Sequence, residues 1–552
     1  MKRLLFWLTL GLTLGCTDLE EEVLDEALNA NLLRGAGAAE GILAPVYARM
    51  NGLFNGHEEY FLLQEVSTDE AIVPYRGGTD WFNGGVLIEM HRHAWTANHN
   101  SVANVWNQLT QGIARSAIAI NTLGTLNDPN VALYTAEARG MGAFYNYVLF
   151  DLFGLCLYRD PASTVSNGGQ SQVFRGQAAV DFLFAELDAV EGTLLNKSEA
   201  GAGRFTKGAV WAIKTKLYLN KAVYLNRYAP NFSFPAEDLD KVIENGDRII
   251  NSGQYGLETA DYFRMFDLNN HNHPEHIFAL DHRDDANNGG RFLWFSLARN
   301  QHGSLINVQS TGTDGASVTP EFWNTWLDNR NDPRFHKEII PQDGSVTSFP
   351  EARWALNRGL LQGQQYGIVL NSAGNGFKRT ASGDLAIERL INTQRTREPV
   401  NFTVAVDFET NTGHSNGVRV SKYEFDPRAT NGRNYSRVDQ PLIRLADVYL
   451  MRAEAKLRKG NVSGALEDVN AVRRARKHPR LLAPGELTLD ALFKERGYEL
   501  YWEMVRRTDM IRFGKYEDVR TTKTDRDVNR RVFLIPQTAI DANPGLLQQN
   551  PG

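Results

Sequence analysis

The chain contains 552 residues, of which 42% are hydrophobic, and it carries a formal net charge of −6 at pH 7. This amount of apolar material is enough to bury one or two large cores. The negative charge and the absence of a long basic run argue against nucleic acid or an anionic lipid surface as a partner. Aromatic residues account for 10% of the chain, which supplies rings for the core and for ligand stacking.

The first residues have the order of an export signal. Lys2 and Arg3 precede an apolar run, residues 4–14, which ends at a glycine followed by Cys16. A helix over that run rises only about 16 Å, roughly half of a hydrocarbon core, so it cannot serve as a permanent membrane span. We therefore predict a removable signal peptide over residues 1–15.

Cys16 is the predicted attachment point for lipid. The Gly-Cys pair is similar to the end of a bacterial lipoprotein signal, in which the cysteine is acylated and becomes the new N-terminus, although Thr13 replaces the usual aliphatic residue. The acidic residues that follow, in a predicted tether over 16–30, resemble segments that send some lipoproteins to the cell surface of Gram-negative bacteria. Several acyl groups on Cys16 would hold the protein firmly in the outer membrane. The alternative is a soluble secreted protein that is cleaved at another site.

The cysteine count indicates that packing, and not cross-linking, stabilises the fold. Cys156 is the only cysteine besides Cys16. The mature chain is therefore expected to form no internal disulfide, even though it is exported.

Helical periodicity recurs through the N-terminal half. Apolar residues at spacings of three and four predict helix pairs over 103–123 with 132–153 and over 207–225 with 237–252. We assign these pairs to an N-terminal helical region over residues 31–254.

The clearest helix pair lies in a C-terminal helical region predicted over 437–552. Residues 442–475 have one apolar face on each side of Gly460 and Asn461, which are typical helix-ending residues. Small residues at the contact positions and a length of about 34 residues are typical of a tetratricopeptide-type unit. A further long amphipathic helix is predicted over 489–512. The fold class predicted is therefore mainly α, with a tetratricopeptide-like scaffold of helix pairs.

Residues 255–436 have a different composition. They are rich in Gly, Asn, Asp, Pro and aromatic residues and show little helical periodicity. An unstructured insertion of that length is improbable in a compact domain, so we predict an irregular, loop-rich subdomain that packs on the scaffold and carries function.

The polar and aromatic segment 69–100, before the first helix pair, is the leading candidate for a ligand site. Sugar rings have apolar faces and polar edges, so a sugar site needs exposed aromatic rings beside Asn, Asp or Arg side chains. Six residues supply this combination: Tyr75, Arg76, Asp80, Trp81, Trp95 and Asn98. For each of the two tryptophans, the alternative is that the ring plugs a loop against the scaffold.

A second aromatic cluster, residues 291–295, could line the same site through Trp294. Its alternative is a core strand, because such a run often alternates between two faces. Trp323 and Trp326 have helical spacing and are expected in the core.

Two groups of histidines offer metal-binding nitrogens without the spacing of a metal motif. His91 and His93 have no clear third ligand, and the second group lies in an Asn/Pro loop, at His271, His273 and His276. We expect solvated loop histidines and not a zinc site.

The acidic residues Asp281, Asp284 and Asp285 give a weak signal for a structural calcium, because they lack the spacing of a calcium loop. The sequence also contains no phosphate-binding glycine loop and no nucleophile-elbow motif. No cofactor and no catalytic residue are therefore predicted.

Four charged residues near the C-terminus are interpreted as structural. Glu499, Glu503, Arg506 and Asp509 stand at spacings of three and four, so they would lie along one face of the predicted helix and form charge pairs. A catalytic acid and base is the less favoured interpretation of this row.

Several runs in the C-terminal third resemble one protein family. The runs "PLIRLADVYLMRAEAKLRKGN" (441–461) and "ALEDVNAVRRAR" (465–476) are similar to its helix-turn-helix with R-x-A-[ED]-x-x-L-x-x-A-E-A. The run "ERGYELYWEMVRRTDMIRFGKY" (495–516) is similar to its E-R-x-x-E-L-x-x-E-x-x-R-x-x-D-x-x-R-x-G hallmark, and "IPQTAIDANPGLLQQNPG" (535–552) to its ending. By order and spacing, these runs resemble the SusD/RagB family of nutrient-binding outer-membrane lipoproteins.

The N-terminal half resembles this family more loosely. The run "EARGMGAFYNYVLFDLFGLCLYRD", which begins at Glu137, is similar to a family segment with the pattern E-A-x-F-L-R-A-x-x-Y-F. Gly142 stands where that pattern has Arg, and Cys156 and Leu157 depart from its end.

The resemblance implies a surface glycan-binding lipoprotein that captures oligosaccharide for a TonB-dependent, SusC-like barrel transporter and is not an enzyme. Starch-type members of the family place stacking aromatics before the first helix pair, which adds weight to Trp81 and Trp95. Two other classes remain open. A helical glycosidase would need two carboxylates about 5–10 Å apart, and a tetratricopeptide-like interaction scaffold would bind only protein.

Overall fold

The structure is a computed structural model that describes residues 37–77, 80–163, 171–282, 289–393, 396–430, 432–433 and 435–551. The predictions about Cys16, the signal peptide and the tether, and those about Asp284 and Asp285, lie outside these residues. In the part of the chain that is described, no helix combines the length and the apolar character needed to cross a membrane.

Most of the regular structure is helical. The helices are α1 (Ala38–Phe54), α2 (Val86–Arg92), α3 (Asn100–Leu123), α4 (Val131–Phe153), α5 (Gly176–Glu191), α6 (Lys207–Leu225), α7 (Ala236–Ile250), α8 (Phe292–Ser296), α9 (Pro320–Thr325), α10 (Leu445–Arg458), α11 (Val462–Ala475), α12 (Leu489–Leu500), α13 (Arg506–Arg512) and α14 (Gln537–Ala542).

The long helices pack as the pairs that the sequence predicts. Helix α3 packs on α4, α6 on α7, and α10 on α11, while α5 lies against α4 and α6. The predicted tetratricopeptide-like helical fold is confirmed. The exact domain boundaries at 255 and 436 stay predictions.

Small residues let the paired helices approach closely. A side chain at Gly112 of α3 would meet the Tyr145 ring of α4 at 2.7 Å, and one at Gly140 would meet the Phe205 ring at 2.5 Å. These glycines lower intrinsic helix stability, so their role is to admit the aromatic rings that fill the core.

The end of α10 follows the predicted chemistry. Gly460 has φ of 81°, the left-handed conformation that favours glycine at a helix C-terminus. Asn461 then caps α11, because its Oδ1 accepts the Gly464 backbone N–H at 3.0 Å.

The predicted helix over 489–512 is wrong as a single element, because it breaks between α12 and α13. Trp502 and Met504 have positive φ angles of 61° and 60°. Glu70 and Glu65 supply the physical reason: their carboxyl oxygens accept the backbone N–H groups of Trp502 at 2.6 Å and Val505 at 3.1 Å, which replace helical hydrogen bonds.

This break separates the four charged residues that a continuous helix would have aligned. Glu499 remains on α12 and contacts three buried arginines, Arg334, Arg444 and Arg476. Glu503 lies in the break and pairs with Lys422 and Arg444, Arg506 pairs with Asp69, and Asp509 pairs with Arg496 and Arg512. These four side chains are buried in ion pairs, and those of Glu499 and Glu503 connect the helices to the loop-rich subdomain.

The described strands are short and form six small antiparallel sheets. They are β1 (Ala71–Ile72), β2 (Leu155–Tyr158), β3 (Gln172–Arg175), β4 (His276–Leu280), β5 (Ser317–Val318), β6 (His336–Lys337), β7 (Ser348–Phe349), β8 (Arg358–Leu361), β9 (Gly363–Gln364), β10 (Tyr366–Ile368), β11 (Leu385–Arg389), β12 (Asn401–Phe402), β13 (Arg419–Ser421) and β14 (Gln440–Arg444).

The loop-rich part is joined to the segment before the first helix pair by one small sheet. Strand β1 pairs with β5 in the register Ala71 to Val318, which brings the segment after β1 beside the segment before β5. Trp323 and Trp326 are buried in the main core, as predicted.

Candidate functional site

The candidate site is built from segments that are distant in the sequence. The pairing of β1 with β5, together with the hydrogen bonds of Arg76 and Trp81, places these two residues against residues 313–317. A separate backbone bridge between Gly290 and Ser436 places the start of α8 beside Tyr435 and Ser436. The site therefore lies where the segment before the first helix pair meets the loop-rich subdomain.

Arg76 anchors the site and does not face a ligand. Its side chain is 1% exposed, and it donates five hydrogen bonds, to the carbonyl oxygens of Asp314 (2.6 Å), Gly315 (2.7 Å), Gly413 (3.1 Å) and Asn416 (2.5 Å) and to the Ser317 hydroxyl (2.8 Å). Every N–H of the guanidinium is used in this way. The prediction that Arg76 contacts ligand is wrong, because the loop needs a buried donor to join three chain segments.

Trp81 is held in an unusual backbone conformation. Its φ is 61°, in the left-handed region that bulky residues rarely adopt. The indole Nε1 donates to the Thr313 carbonyl oxygen at 2.6 Å, and the ring is only partly buried. Strain of this kind persists where the surrounding structure enforces it, and it is frequent in ligand-binding segments.

Trp81 and Trp294 are brought together by one buried ring. Phe295 is 1% exposed, and its centroid lies 5.7 Å from Trp81 and 4.8 Å from Trp294, in edge-to-face arrangements. His57 stacks on the same phenyl ring at 5.2 Å. Phe295 therefore fixes two half-buried tryptophans that the sequence proposed as parts of one site.

The helix α8 presents these aromatic rings. Because α8 is a short helix, the core-strand alternative for residues 291–295 is wrong. Phe292 and Phe295 are nevertheless buried in the core. Trp294 remains partly exposed. Two additional rings extend the surface, since partly buried Tyr75 meets Phe82 edge to face at 6.1 Å and Phe82 is 41% exposed.

A polar rim lies beside Trp81. Asp80 accepts two hydrogen bonds from Arg299 Nη2, at 3.0 and 3.1 Å. Arg299 Nε also lies 3.4 Å from Asp314, and Asp314 lies 3.1 Å from His414 Nδ1. Asp80, Asp314 and His414 place their ligand atoms within 4.8 Å of one another. The Arg299 guanidinium contacts both carboxylates but balances only one of their two negative charges. The Asp80–Arg299 pair offers hydrogen-bond acceptors and donors beside Trp81.

Arg291 lies against the aromatic rings of the site. Its guanidinium carbon lies 5.1 Å from the Phe295 centroid and 5.7 Å from the Tyr435 centroid. Glu58 accepts from its Nη2 at 3.2 Å. Sequence reasoning missed Tyr435 and Glu58, because only long-range backbone contacts bring them to α8: the Gly290–Ser436 bridge and the hydrogen bond from the Arg291 N–H to the Asn55 carbonyl oxygen. It also missed Phe82, although that residue adjoins Trp81.

Trp95 is a core residue and not a stacking platform. It is 1% exposed and packs against Phe533 at 4.6 Å and His93 at 5.1 Å between centroids. The alternative that it plugs a loop is the correct one. Asn98 is exposed in the connection from α2 to α3, and among the described residues it makes no hydrogen bond to the cluster around Trp81.

The expectation of solvated histidines is wrong for His91 and His93, which are both buried. His91 Nδ1 lies 2.9 Å from the Val66 carbonyl oxygen, and His93 Nε2 lies 2.7 Å from the Ser67 carbonyl oxygen. Burial lowers the pKa of His91 to about 3 and lowers the pKa of His93 well below its usual value. Both rings are therefore neutral hydrogen-bonding groups in the core near physiological pH.

The second histidine group is also largely enclosed. His276 is buried, and this burial is the main cause of its lowered pKa. His271 Nδ1 lies 2.9 Å from Asp439, and these two residues together with Asp281 bring ligand atoms within 4.8 Å of one another. Asp281 is thus the one member of the predicted calcium group that the structure describes.

The fold and the site together define a class of protein: a scaffold of helix pairs that presents aromatic rings and a polar rim at the edge of a loop-rich subdomain. The sequence model of the SusD family matches residues 249–552. The chain belongs to the SusD family.

Relatives of known sequence and structure agree with this assignment. The starch-binding protein SusD of Bacteroides thetaiotaomicron is 23% identical over 478 residues, which cover 83% of this chain and 77% of the relative. A laminarin-binding SusD-like protein shares the fold with a TM-score of 0.63 and 18% identity, over 93% of this chain and 98% of that one. A surface glycan-binding protein A from Bacteroides thetaiotaomicron, solved with laminarihexaose, gives a TM-score of 0.62 at 18% identity over the same shares.

Proposed function

We propose that this protein captures oligosaccharides at the surface of the outer membrane and delivers them to a TonB-dependent, SusC-like barrel transporter, without cleaving them. The observation that carries the proposal is that Trp81 and Trp294 both pack edge to face with Phe295. Two partly exposed indole rings fixed on one buried ring form a rigid apolar surface.

The chemistry of this surface suits a sugar. The C–H face of a pyranose can pack on an indole, while its hydroxyls need donors and acceptors at the ring edge. The Asp80–Arg299 pair, 12% and 19% exposed, offers both beside Trp81. Because each ring and each polar group is already held by internal contacts, binding a sugar requires little further ordering of the protein.

Relatives support the ligand class. The names of the related proteins refer to starch and to laminarin, and one of the related proteins was solved with laminarihexaose. We carry over to this chain only the class, an oligosaccharide, because stacking rings tolerate many sugars.

Anchoring at Cys16 and delivery to a barrel transporter belong to the same proposal. The sequence offers a Gly-Cys end to an export signal, followed by acidic residues. A triacylated cysteine would keep the binding site at the membrane surface, next to a partner able to move the glycan across the outer membrane.

The experiment is a binding and cleavage assay on purified protein. We expect it to retain one or more glycans from a broad array, and we expect incubation with those glycans to release no new reducing ends. If reducing ends are released in proportion to the amount of this protein, the helical glycosidase is favoured instead. Failure to retain any glycan on the array would favour the protein-only scaffold.

A further inference from the structure

A second cleft, separate from the residues around Trp81, opens on the helical scaffold. It has a volume of about 260 Å³ and lies between α3, α4, α5 and the β2–β3 hairpin. Small side chains form its floor: Ser116, Ala117, Gly142 and Ala143. Gly142 and Asn146 stand one turn apart on α4, and neither projects a large side chain into the space.

Aromatic rings form one wall of this cleft. Tyr158 on β2 and Phe182 on α5 meet edge to face with centroids 5.9 Å apart. Phe174 on β3 stacks on Phe182 with centroids 5.0 Å apart, which gives the Phe182 ring a second aromatic contact. Tyr158 and Phe182 are both only partly buried, so the wall has apolar surface available to a ligand.

A neutral ion pair lines the cleft as well. Arg139 donates two parallel hydrogen bonds to Glu186, both at 2.8 Å. The pair is partly exposed, with 41% and 17% of the respective side chains accessible. A planar guanidinium and carboxylate offer donors and acceptors in fixed positions, and Arg159, another lining residue, adds further donors.

We propose that this cleft is a second carbohydrate site, which binds a neutral pyranose ring against Tyr158 and Phe182 with its hydroxyls directed to the Arg139–Glu186 pair. Drug-sized ligands occupy pockets of about 300–1,000 Å³, so 260 Å³ suits one or two sugar rings. An apolar wall with a fixed polar pair beside it matches the apolar face and the polar edge of a pyranose. This inference adds a contact to glycan capture and does not depend on the site around Trp81.

The first test is crystallographic. Crystals of the protein would be soaked separately with the methyl glycosides of glucose, galactose and mannose. We expect at least one of them to place a pyranose ring on Tyr158 and Phe182. A cleft that stays empty in all three soaks overturns the inference. Sugar at Trp81 with an empty cleft overturns only this inference, and sugar in the cleft with none at Trp81 overturns only the proposed primary site.

The second test uses variants in solution, with the glycosides that occupy the cleft. Thr135→Trp places a large ring in the cleft, because Thr135 lines it. Thr110→Trp, at a residue of α3 that does not itself line the cleft, is the matched control. In a Trp81→Ala, Trp294→Ala background, we expect Thr135→Trp to weaken the remaining binding by about tenfold or more, and Thr110→Trp to leave it unchanged. Equal affinity in both variants contradicts the inference. If Thr135→Trp unfolds, Tyr158→Ala tests the same wall at a partly exposed position.

Discussion

The Nε of Arg76 donates a hydrogen bond to the Asp314 carbonyl oxygen at 2.6 Å, across a separation of 238 residues in the chain. Through this bond and four others, one buried guanidinium joins the loop that carries Trp81 to the segment that carries Thr313, the hydrogen-bond acceptor of the indole. Arg76 therefore determines where Trp81 lies without touching a ligand.

Arg76→Met is predicted to weaken both stability and glycan binding. The variant leaves buried carbonyl groups without their donor, and an unsatisfied buried acceptor costs about 1–3 kcal/mol. We expect a Tm several degrees lower and a loss of affinity caused by a displaced Trp81. Differential scanning calorimetry and glycan titration measure the two effects.

The matched control for this prediction is Arg480→Met. Arg480 is 63% exposed and, within the described part of the chain, its side chain pairs with exposed Glu486, so its removal is expected to leave the Tm almost unchanged. Equal effects of the two substitutions would show that Arg76 has no special positioning role.

Trp95→Ala is predicted to lower stability without removing a ligand contact. Truncating a buried aromatic residue costs about 3–5 kcal/mol, and Trp95 packs on Phe533 in the main core. Thermal melts should show a large drop in Tm, while the affinity for glycan at a temperature where the variant is folded should stay within about twofold. If Trp95→Ala had a normal Tm and did not bind glycan, Trp95 would be a ligand-binding residue and this prediction would be wrong.

The buried carboxyls Glu65 and Glu70 are predicted to make stability fall as pH rises. Burial, as the largest cause, raises the pKa of Glu70 to about 7, and burial followed by the nearby Glu70 carboxyl raises the pKa of Glu65 well above its usual value. An unfolded glutamate has a pKa of about 4.3. The folded state therefore holds protons that the unfolded chain has released, so this contribution to stability is complete below about pH 4.3 and is lost as pH rises through about 7.

Glu70→Gln removes this titration and keeps an oxygen that can accept the Trp502 N–H. The free energy of unfolding of the variant, compared with that of the natural protein, should therefore decline less between about pH 4.3 and 7. Chemical denaturation across that range measures the difference, with Glu388→Gln at an exposed position as control. Parallel pH profiles for the natural and Glu70→Gln proteins would refute the assignment.

Cys16→Ala is predicted to prevent lipid attachment. Without the sulfhydryl that carries the acyl chains, the protein should be released from the membrane or left unprocessed. Membrane fractionation and metabolic lipid labelling report the outcome, and Cys156→Ala serves as the control for loss of a cysteine that is buried in the core. A Cys16→Ala protein that remains processed, labelled and membrane-bound would contradict the prediction.

The helix pairs could be predicted because their information is local. Apolar spacing in α3, α4, α6 and α7 gave bounds close to those of the structure, and the glycine and asparagine after α10 ended that helix as expected. The break after α12 could not be predicted, since Glu65 and Glu70, from far along the chain, take the backbone N–H groups that would have continued the helix.

The site was predictable in composition but not in exposure. Trp81 and Trp95 occur in the same polar, glycine-containing segment, yet the first remains partly exposed and the second is enclosed. The difference arises from Phe533, near the C-terminus, which covers Trp95, and from Thr313, which holds the Trp81 indole. The burial of Arg76 could not be predicted either, because the carbonyl groups that accept its hydrogen bonds lie on segments that are distant in the sequence.

The most direct test of glycan capture at this site is calorimetric titration of the natural protein and of Trp81→Ala with a glycan that the array identifies. Loss of a stacking indole and its buried area removes about 2–3 kcal/mol, so we predict affinity lower by about thirty- to a hundredfold and a Tm changed by no more than a few degrees. Trp81→Phe keeps an aromatic ring but not the hydrogen bond to Thr313, so its affinity for glycan should lie between those of the natural protein and Trp81→Ala. Unchanged affinity in Trp81→Ala, with the protein folded, would contradict the account.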